Sequence, residues 1–210
     1  MGAEPDPDSG QPGSPVVTTE TVPTEAPKKV HWGREWVILI VLTVIGTFLL
    51  RTYAVQSYRI PSGSMEKTLH GCTPGCNDDR VLVDKLSYKL HGIHRHDIVV
   101  FQATGNWIQV VGGKQDIIKR VIGLPGDTVQ CCDAQSRVLV NGVPQIEPYI
   151  FENNAYAFGP VVVPKGQLFV MGDHRSDSSD SRYNGTIPES SVIGHAFVRI
   201  WPVPRIHSLH

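Results

Sequence analysis

The sequence lacks a strong net charge of either sign. Its 210 residues contain 19 Lys and Arg against 20 Asp and Glu, a formal net charge of −1 at pH 7, and 19% of the residues are charged. A nucleic-acid-binding domain usually carries a clear excess of basic residues, so nothing here indicates a nucleic-acid partner. The length predicts one ordinary domain with appendages.

Aromatic side chains are absent from the first 27 residues, and six of those residues are proline. The same segment contains acidic residues but neither Lys nor Arg. Such a composition cannot bury enough apolar surface to offset the entropy that is lost on ordering. We therefore expect residues 1–33 to form a disordered tail.

Charge is absent between Glu35 and Arg51, where an apolar run extends from Trp36 to Leu50. These fifteen residues would span about 22 Å as a helix, which is short of a hydrocarbon core of about 30 Å. Continuing the helix to Val55 gives about twenty residues, provided that the Arg51 side chain reaches the membrane surface. We therefore predict a transmembrane helix over residues 34–55.

The residues around the apolar run predict that it stays in place and how it is oriented. A cleaved signal peptide would begin near residue 1 and end at a small-residue site, whereas here a polar tail precedes the run and Leu-Leu-Arg ends it. Three basic residues precede the run and two follow it: Lys28, Lys29 and Arg34, then Arg51 and Arg59. This bias favours a cytoplasmic N-terminus. We expect a single-pass anchor in the plasma membrane, with residues 56–210 outside the cytoplasm.

No cysteine precedes the apolar run, and all four follow it: Cys72, Cys76, Cys131 and Cys132. An even number of cysteines in an exported domain predicts structural disulfides. Pairing Cys72 with Cys76 across a Thr-Pro-Gly turn is economical but leaves two adjacent cysteines, whose direct bond is strained. Cross-pairing between the two loops therefore stays open as well.

Long stretches with helical periodicity are absent after residue 56. Short β-rich runs separated by Gly, Pro and Asp take their place, namely Arg80–Val83, Asp97–Phe101, Ile117–Ile122, Gln167–Met171 and Val192–Trp201. Asn141-Gly142, between two apolar runs, is typical of a tight hairpin. The pattern predicts a mainly β domain of short antiparallel strands over residues 56–210.

Two serines and a lysine are the candidate catalytic residues. Ser62 and Ser64 lie in an Ile-Pro-Ser-Gly-Ser-Met stretch shortly after the apolar run, and Lys119 lies within the apolar sequence Ile-Ile-Lys-Arg-Val-Ile. A serine is a weak nucleophile until a base takes its proton, and an amine is such a base near neutral pH only when burial lowers its pKa. The sequence therefore suggests a Ser/Lys dyad.

The segments around these residues resemble type I signal peptidases (leader peptidases), the bacterial serine proteases that use a Ser/Lys dyad. Four boxes of that family's pattern occur in order: Ser57–Met65, Asp79–Lys85, Lys119–Asp127 and Gly172–Arg182. The resemblance implies a signal-peptidase-like catalytic β domain behind one transmembrane helix. It also implies a small β insertion at about residues 128–166.

The resemblance implies a role for each matching residue. Ser64 would be the nucleophile and Lys119 the general base. Ser62 would join the Ser64 backbone N–H in the oxyanion hole, and Ser178 would hydrogen-bond the lysine amine. Four charged residues would brace the loop: Asp173, Arg175, Asp180 and Arg182. Ile60 and Met65 flank the nucleophile and are candidates for the substrate pocket.

The activity implied is cleavage of signal peptides from exported preproteins, after small residues at positions −3 and −1. The partners implied are preproteins, the lipid bilayer and the protein export machinery. No cofactor and no metal ion are expected. A membrane-tethered β module that binds a partner without chemistry is the alternative, although it would need neither Ser64 nor Lys119.

Two departures from the family pattern matter. Lys67 stands where the family usually has proline, and His174 and Ser176 stand where it commonly has asparagine. Lys67 makes Ser64-Met65-Glu66-Lys67 formally a Ser-x-x-Lys motif, as in penicillin-binding proteins and class A β-lactamases. The sequence has no Lys-Thr-Gly and no Ser-Asp-Asn, and it lacks the helical content of those enzymes.

Two further sites are conceivable. Asp173 and His174 would complete a Ser/His/Asp triad, but adjacent residues rarely act as an oriented pair. A zinc site would draw on His91, His94, His96, Cys72 and Cys76. The Cys-x₃-Cys spacing and the expected oxidising surroundings argue against that site.

Overall fold

The computed structural model describes Gly2 and residues 32–71, 77–153 and 156–209. Most of the predicted tail and two of the disulfide candidates, Cys72 and Cys76, lie outside the described residues. The chain divides into two compact units, Met1–Ile40 and Val41–His210.

The N-terminal element is helix α1, Trp32–Tyr53. Between Trp36 and Leu49 its large apolar side chains are exposed, Leu42 and Phe48 among them. None of the helices in the described part of the chain combines the length and the apolar character that crossing a membrane requires.

The described residues after α1 form twelve strands in two sheets. The larger sheet has the order β1-β2-β11-β3-β4-β9-β10, with β12 beside β11. Its strands are β1 (Val55–Arg59), β2 (Arg80–Asp84), β3 (Ile98–Gln102), β4 (Asp116–Gly123), β9 (Gln167–Met171), β10 (Ile187–Pro188), β11 (Val192–Trp201) and β12 (His207–Ser208). The smaller sheet has the order β7-β6-β5-β8 and contains β5 (Thr128–Cys131), β6 (Val138–Val140), β7 (Val143–Pro144) and β8 (Phe158–Val162).

The helices described after α1 are short. They are α2 (Ser87–His91), α3 (Trp107–Val111) and α4 (Ser181–Asn184), with 3₁₀ turns at Gly63–Met65, Glu189–Ser191 and Val203–Arg205. All pairings between the strands are antiparallel. The prediction of a mainly β, antiparallel fold is confirmed.

The predicted hairpin joins β6 to β7. Asn141 and Gly142 have φ values of 52° and 78°, which suit the two central positions of a type I′ turn. The Asn141 side-chain oxygen also accepts a hydrogen bond of 2.8 Å from the backbone N–H of Thr128, which ties the turn to β5. Within the same sheet, Cys131 and Cys132 are bonded to each other.

Strand β4 is central to the larger sheet. Its first half pairs with β3, where Lys119 lies opposite Val99, and its second half pairs with β9, where Arg120 lies opposite Met171. Side chains alternate between the two faces of a strand, so Lys119 and Arg120 are delivered to opposite sides of β4. This alternation separates a buried amine from a buried guanidinium.

Candidate active site

Ser64 lies on a 3₁₀ turn that has one buried side chain before it in the sequence and another at its end. The turn follows Ile60 and ends at Met65, which are 2% and 0% exposed and belong to one core cluster. The Ile60 backbone N–H donates to the Asp79 carbonyl (3.0 Å). Gly71 packs so closely on the Ile60 and Ser62 backbone that a Cβ would collide with it. The turn is thus held by packing on its inner side.

Lys119 meets Ser64 across the site. The Lys119 side chain is buried, with 4% of the residue exposed, and its Nζ lies 2.5 Å from Ser64 Oγ. The two residues are 55 positions apart in sequence. The structure therefore brings together the two residues that the sequence suggested as a dyad.

Burial determines the proton affinity of the Lys119 amine. Loss of solvation lowers its pKa from 10.5 to about 8, against the nearby carboxylates of Asp180 and Asp173, which raise it. Arg182 adds a further lowering contribution. At pH 7 about one amine in ten is then neutral, compared with fewer than about one in a thousand for an exposed lysine. The neutral amine has the lone pair that a general base needs.

Ser178 lies on the loop between β9 and α4, and it is 7% exposed. Among the described residues its hydroxyl has no hydrogen-bond partner, so the predicted bond to Lys119 is not made. The amine is directed at Ser64 Oγ instead. A Cβ at Gly172 would collide with Ser178 Oγ and with the Ser64 carbonyl oxygen, so the absence of a side chain at Gly172 lets the loop approach the nucleophile's turn.

Asp180 and Arg182 form a buried ion pair that shapes this loop. Arg182 Nε donates to Asp180 Oδ1 at 2.8 Å, and both side chains are at most 2% exposed. Asp180 also accepts the Gly172 backbone N–H at 3.0 Å and caps α4. Arg182 Nη2 donates to the Arg175 carbonyl oxygen at 2.8 Å. Through these bonds the ion pair links the end of the loop between β9 and α4 to its beginning.

Asp173 is anchored by Arg120, a residue for which the sequence predicts no role. Arg120 donates to both oxygens of Asp173, at 2.9 and 2.7 Å, and both side chains are almost completely buried. Thr68 donates to the same carboxylate at 2.6 Å. Alternation in β4 places the Arg120 side chain on the face opposite Lys119, which separates it from the dyad but does not indicate its partner.

Arg175 has a partner that sequence reasoning also missed. Glu147 accepts from Arg175 Nη2 at 2.6 Å and from Nη1 at 3.1 Å, and both side chains are 2% exposed. Arg175 Nε donates to the Gly172 carbonyl oxygen at 3.1 Å. Glu147 follows β7 at 28 residues from Arg175, in a segment with no recognisable motif, so no pattern in the sequence indicated this pair.

A cavity of about 330 Å³ opens beside the dyad. Ser64 and Lys119 line it together with mostly apolar side chains, including Ile60, Val100, Trp107, Ile117 and Ile118. Of the two predicted pocket residues, Ile60 contributes to this lining. Met65 does not, because its side chain points into the core and is 0% exposed.

The remaining candidates lie away from Ser64 Oγ. Lys67 is exposed, and its Nζ lies 4.7 Å from the centre of the Phe151 ring. His174 Nδ1 faces the Gly63 carbonyl oxygen at 3.2 Å, so the ring contacts the turn's backbone rather than the hydroxyl. Within residues 32–71, 77–153 and 156–209, no group of three His, Cys, Asp or Glu side chains is placed to hold a metal ion.

The amino-acid sequence is similar to a family model and to several known proteins. Residues 33–201 match the family model described as signal peptidase, peptidase S26. The chain is 41% identical over 193 residues to a probable signal peptidase I-2 of Synechocystis sp., covering 90% of this chain and 84% of that protein. It is 34% identical over 249 residues to signal peptidase I of Mycobacterium tuberculosis, covering 97% and 83%.

A solved structure is also similar. A signal peptidase I from Enterococcus faecalis shares 33% identity, covers 49% of this chain and 95% of its own, and superposes with a TM-score of 0.40. A superposition this loose carries no information about the fold beyond that of the sequence matches.

Proposed function

Because the chain belongs to the peptidase S26 family of signal peptidases, we propose that it performs the reaction of that family with Ser64 as nucleophile and Lys119 as general base. The family establishes the activity: the protein is a serine endopeptidase that cleaves signal peptides from preproteins. The single observation that supports the assignment of residues is the 2.5 Å separation between Lys119 Nζ and Ser64 Oγ.

In the first step the neutral Lys119 amine takes the Ser64 hydroxyl proton while the oxygen attacks the carbonyl carbon of the scissile peptide bond. The carbonyl oxygen becomes an oxyanion. When the tetrahedral intermediate collapses, the C–N bond breaks and the leaving amine takes the proton from the Lys119 ammonium. The signal peptide remains as an ester on Ser64 Oγ.

In the second step Lys119 takes a proton from a water molecule, whose oxygen attacks the ester carbonyl carbon. When the second tetrahedral intermediate collapses, the C–O bond to Ser64 breaks, the signal peptide leaves as a carboxylic acid, and the Lys119 ammonium returns the proton to Ser64 Oγ. An amine has no tautomer to fix, so this base needs no carboxylate partner of the kind that histidine has in a triad.

Ser62 and the Ser64 backbone N–H are the proposed oxyanion donors. Ser62 Oγ lies 3.3 Å from Ser64 Oγ, which puts its hydroxyl next to the reacting oxygen. The first N–H groups of a helical turn have no partner within the turn, so the Ser64 N–H is suited to a negative charge. Donors that are already in place stabilise the charge at no reorganisation cost.

The cavity supports a preference for small residues at positions −3 and −1. The walls of the cavity beside Ser64 are mostly apolar, so small uncharged side chains can enter it without leaving a buried polar group unpaired. Among the strands of the described residues, β1 pairs with β2 alone, so its other edge could pair with the backbone of an extended peptide. Apolar walls from Ile60 and Ile118 would contact the small side chains.

The pH dependence of cleavage tests the proposed base. For the purified protein in detergent with a preprotein, kcat/KM is expected to rise with pH and level off above about 8, because the pKa of Lys119 is lowered to that value and only the neutral amine accepts a proton. A rate that levels off by about pH 5 would instead indicate a carboxylate or an ordinary histidine as the base. The Lys67→Ala variant is the control and should show the same profile.

We also propose that residues 34–55 anchor the chain in the plasma membrane, with the N-terminus in the cytoplasm and the catalytic domain outside. The uncharged run from Trp36 to Leu50 and the exposed apolar side chains of α1 support this assignment. The active site would then lie close to the bilayer and the export machinery, on the side of the membrane where preproteins emerge.

Membrane attachment is tested by extraction. The full chain is expected to stay with membranes at alkaline carbonate pH and to enter solution only with detergent, because the uncharged run from Trp36 to Leu50 would bind the bilayer through apolar surface, which high pH does not release, rather than through surface charges. External protease should digest residues 56–210 in spheroplasts and spare the N-terminal tail. Release of the full chain by carbonate would contradict the anchor.

A further inference from the structure

His174 contacts the turn that carries the nucleophile through two separate groups. Its backbone N–H donates to the Ser64 carbonyl oxygen at 3.1 Å, and its side-chain Nδ1 lies 3.2 Å from the Gly63 carbonyl oxygen. A carbonyl oxygen only accepts, so Nδ1 is the donor. One residue of the loop after β9 therefore holds two consecutive carbonyl groups of the Gly63–Met65 turn.

The His174 ring is itself held on its other sides. Its Nε2 lies 3.2 Å from Glu152 Oε2, and its ring centre lies 4.8 Å from that of Phe151. The side chain of His174 is 14% exposed, and that of Glu152 is 60% exposed. The Gly63 carbonyl and the Glu152 carboxylate therefore lie at the two different nitrogens of one ring, and these contacts fix its orientation.

The backbone around Glu152 is also fixed to the loop. Phe151 N–H donates to the Asp173 carbonyl at 2.8 Å, Arg175 N–H donates to the Phe151 carbonyl at 3.1 Å, and Ser176 N–H donates to the Glu152 carbonyl at 3.1 Å. These bonds set the position from which Glu152 reaches His174. The orientation of the ring is thus determined by a segment that contributes nothing to the dyad itself.

We propose that His174 is a positioning residue for Ser64, and that Glu152 orients its imidazole so that Nδ1–H holds the Gly63 carbonyl and with it the nucleophile's turn. This inference rests on the proposed role of Ser64 and Lys119. Ser64 Oγ must stay within reach of both the amine and the substrate carbonyl, and an error of about 1 Å in such a placement can cost about 10² in rate.

Three substitutions separate this role from simple packing. His174→Phe keeps an aromatic ring against Phe151 but removes both ring nitrogens and with them the Nδ1–H donor, and it should lower kcat about tenfold with KM changed less than about twofold. His174→Asn retains an N–H donor of similar reach and should recover kcat to within about threefold of wild type. Glu152→Gln should lower kcat about two- to threefold in the wild-type background and have no effect beside His174→Asn.

Ser176→Ala is the matched control, because the Ser176 hydroxyl donates to the same Glu152 oxygen at 3.3 Å but does not reach the turn. It should leave kcat unchanged, and thermal unfolding should confirm that all variants are folded. The proposal is overturned if folded His174→Phe cleaves at the wild-type rate, or if His174→Asn is as slow as His174→Phe. Failure of the proposed function would look different, since the wild-type protein would then not cleave the preprotein at all.

Discussion

The Ser64→Ala variant is expected to lose at least about 10⁴-fold in kcat for preprotein cleavage. Its side chain lacks the oxygen that attacks the peptide, and the cavity and the oxyanion donors alone provide only residual catalysis. KM should change little, because the small Ser64 side chain contributes little to binding. Single-turnover cleavage of a purified preprotein, followed by mass spectrometry of the product, measures both the rate and the site of the cut.

Ser62→Ala is the matched control for the loss of a neighbouring hydroxyl. Ser62 Oγ lies 3.3 Å from Ser64 Oγ, so the two substitutions remove similar groups from almost the same place. Ser62→Ala should cost about 10²–10³ in kcat, as expected for one oxyanion donor. Substantial cleavage by folded Ser64→Ala at the authentic site would assign the nucleophile elsewhere, and a greater loss in Ser62→Ala would exchange the two roles.

The strands could be predicted from the sequence because their signals are local. The run Gln167–Met171 is β9 as predicted, and Val192–Trp201 is β11. Both are rich in apolar side chains and are bounded by turn residues, and β-branched and aromatic residues fit a half-buried sheet. The hairpin at Asn141-Gly142 depends on two residues that tolerate positive φ.

The buried ion pairs around the site could be predicted less well, because they join residues that are far apart in sequence. Arg120 and Asp173 are 53 positions apart, and Glu147 and Arg175 are 28 positions apart. Which buried charge meets which depends on the register of β4 against β9 and on the path of the chain after β7. No local pattern specifies either, and the resemblance indicated that charged residues brace the loop without indicating their partners.

The choice between two lysines shows what the structure adds to the sequence. Lys67 is three residues from Ser64 and fits a Ser-x-x-Lys motif, whereas Lys119 is 55 residues away. A Ser-x-x-Lys base needs a helical turn that stacks the amine on the hydroxyl, and here the 3₁₀ turn ends at Met65 and leaves Lys67 exposed over Phe151. Only the amine of Lys119 is both buried and in contact with Ser64.

Lys119→Met is therefore expected to abolish cleavage, with a loss in kcat of at least about 10³-fold, while Lys67→Met stays within about threefold of wild type. Methionine fills a similar volume but accepts no proton. Because the two catalytic groups act as one unit, Ser64→Ala combined with Lys119→Met should be no slower than the slower single variant. Near-complete loss in folded Lys67→Met, with Lys119→Met active, would move the base to Lys67.

Stability measurements provide an independent check on the same amine. The pKa of Lys119 is lowered from 10.5 to about 8 by burial, so between these pH values the unfolded chain binds more protons than the folded one. The free energy of unfolding of the wild type therefore rises with pH across this interval, by roughly 3 kcal/mol from this group. Lys119→Met lacks the titrating group, so its stability relative to wild type should be greatest below pH 8 and should shrink as pH approaches 10.5. A difference that does not change with pH would mean that the Lys119 amine is not desolvated in the folded protein, and the same result would remove the physical basis for its action as a base.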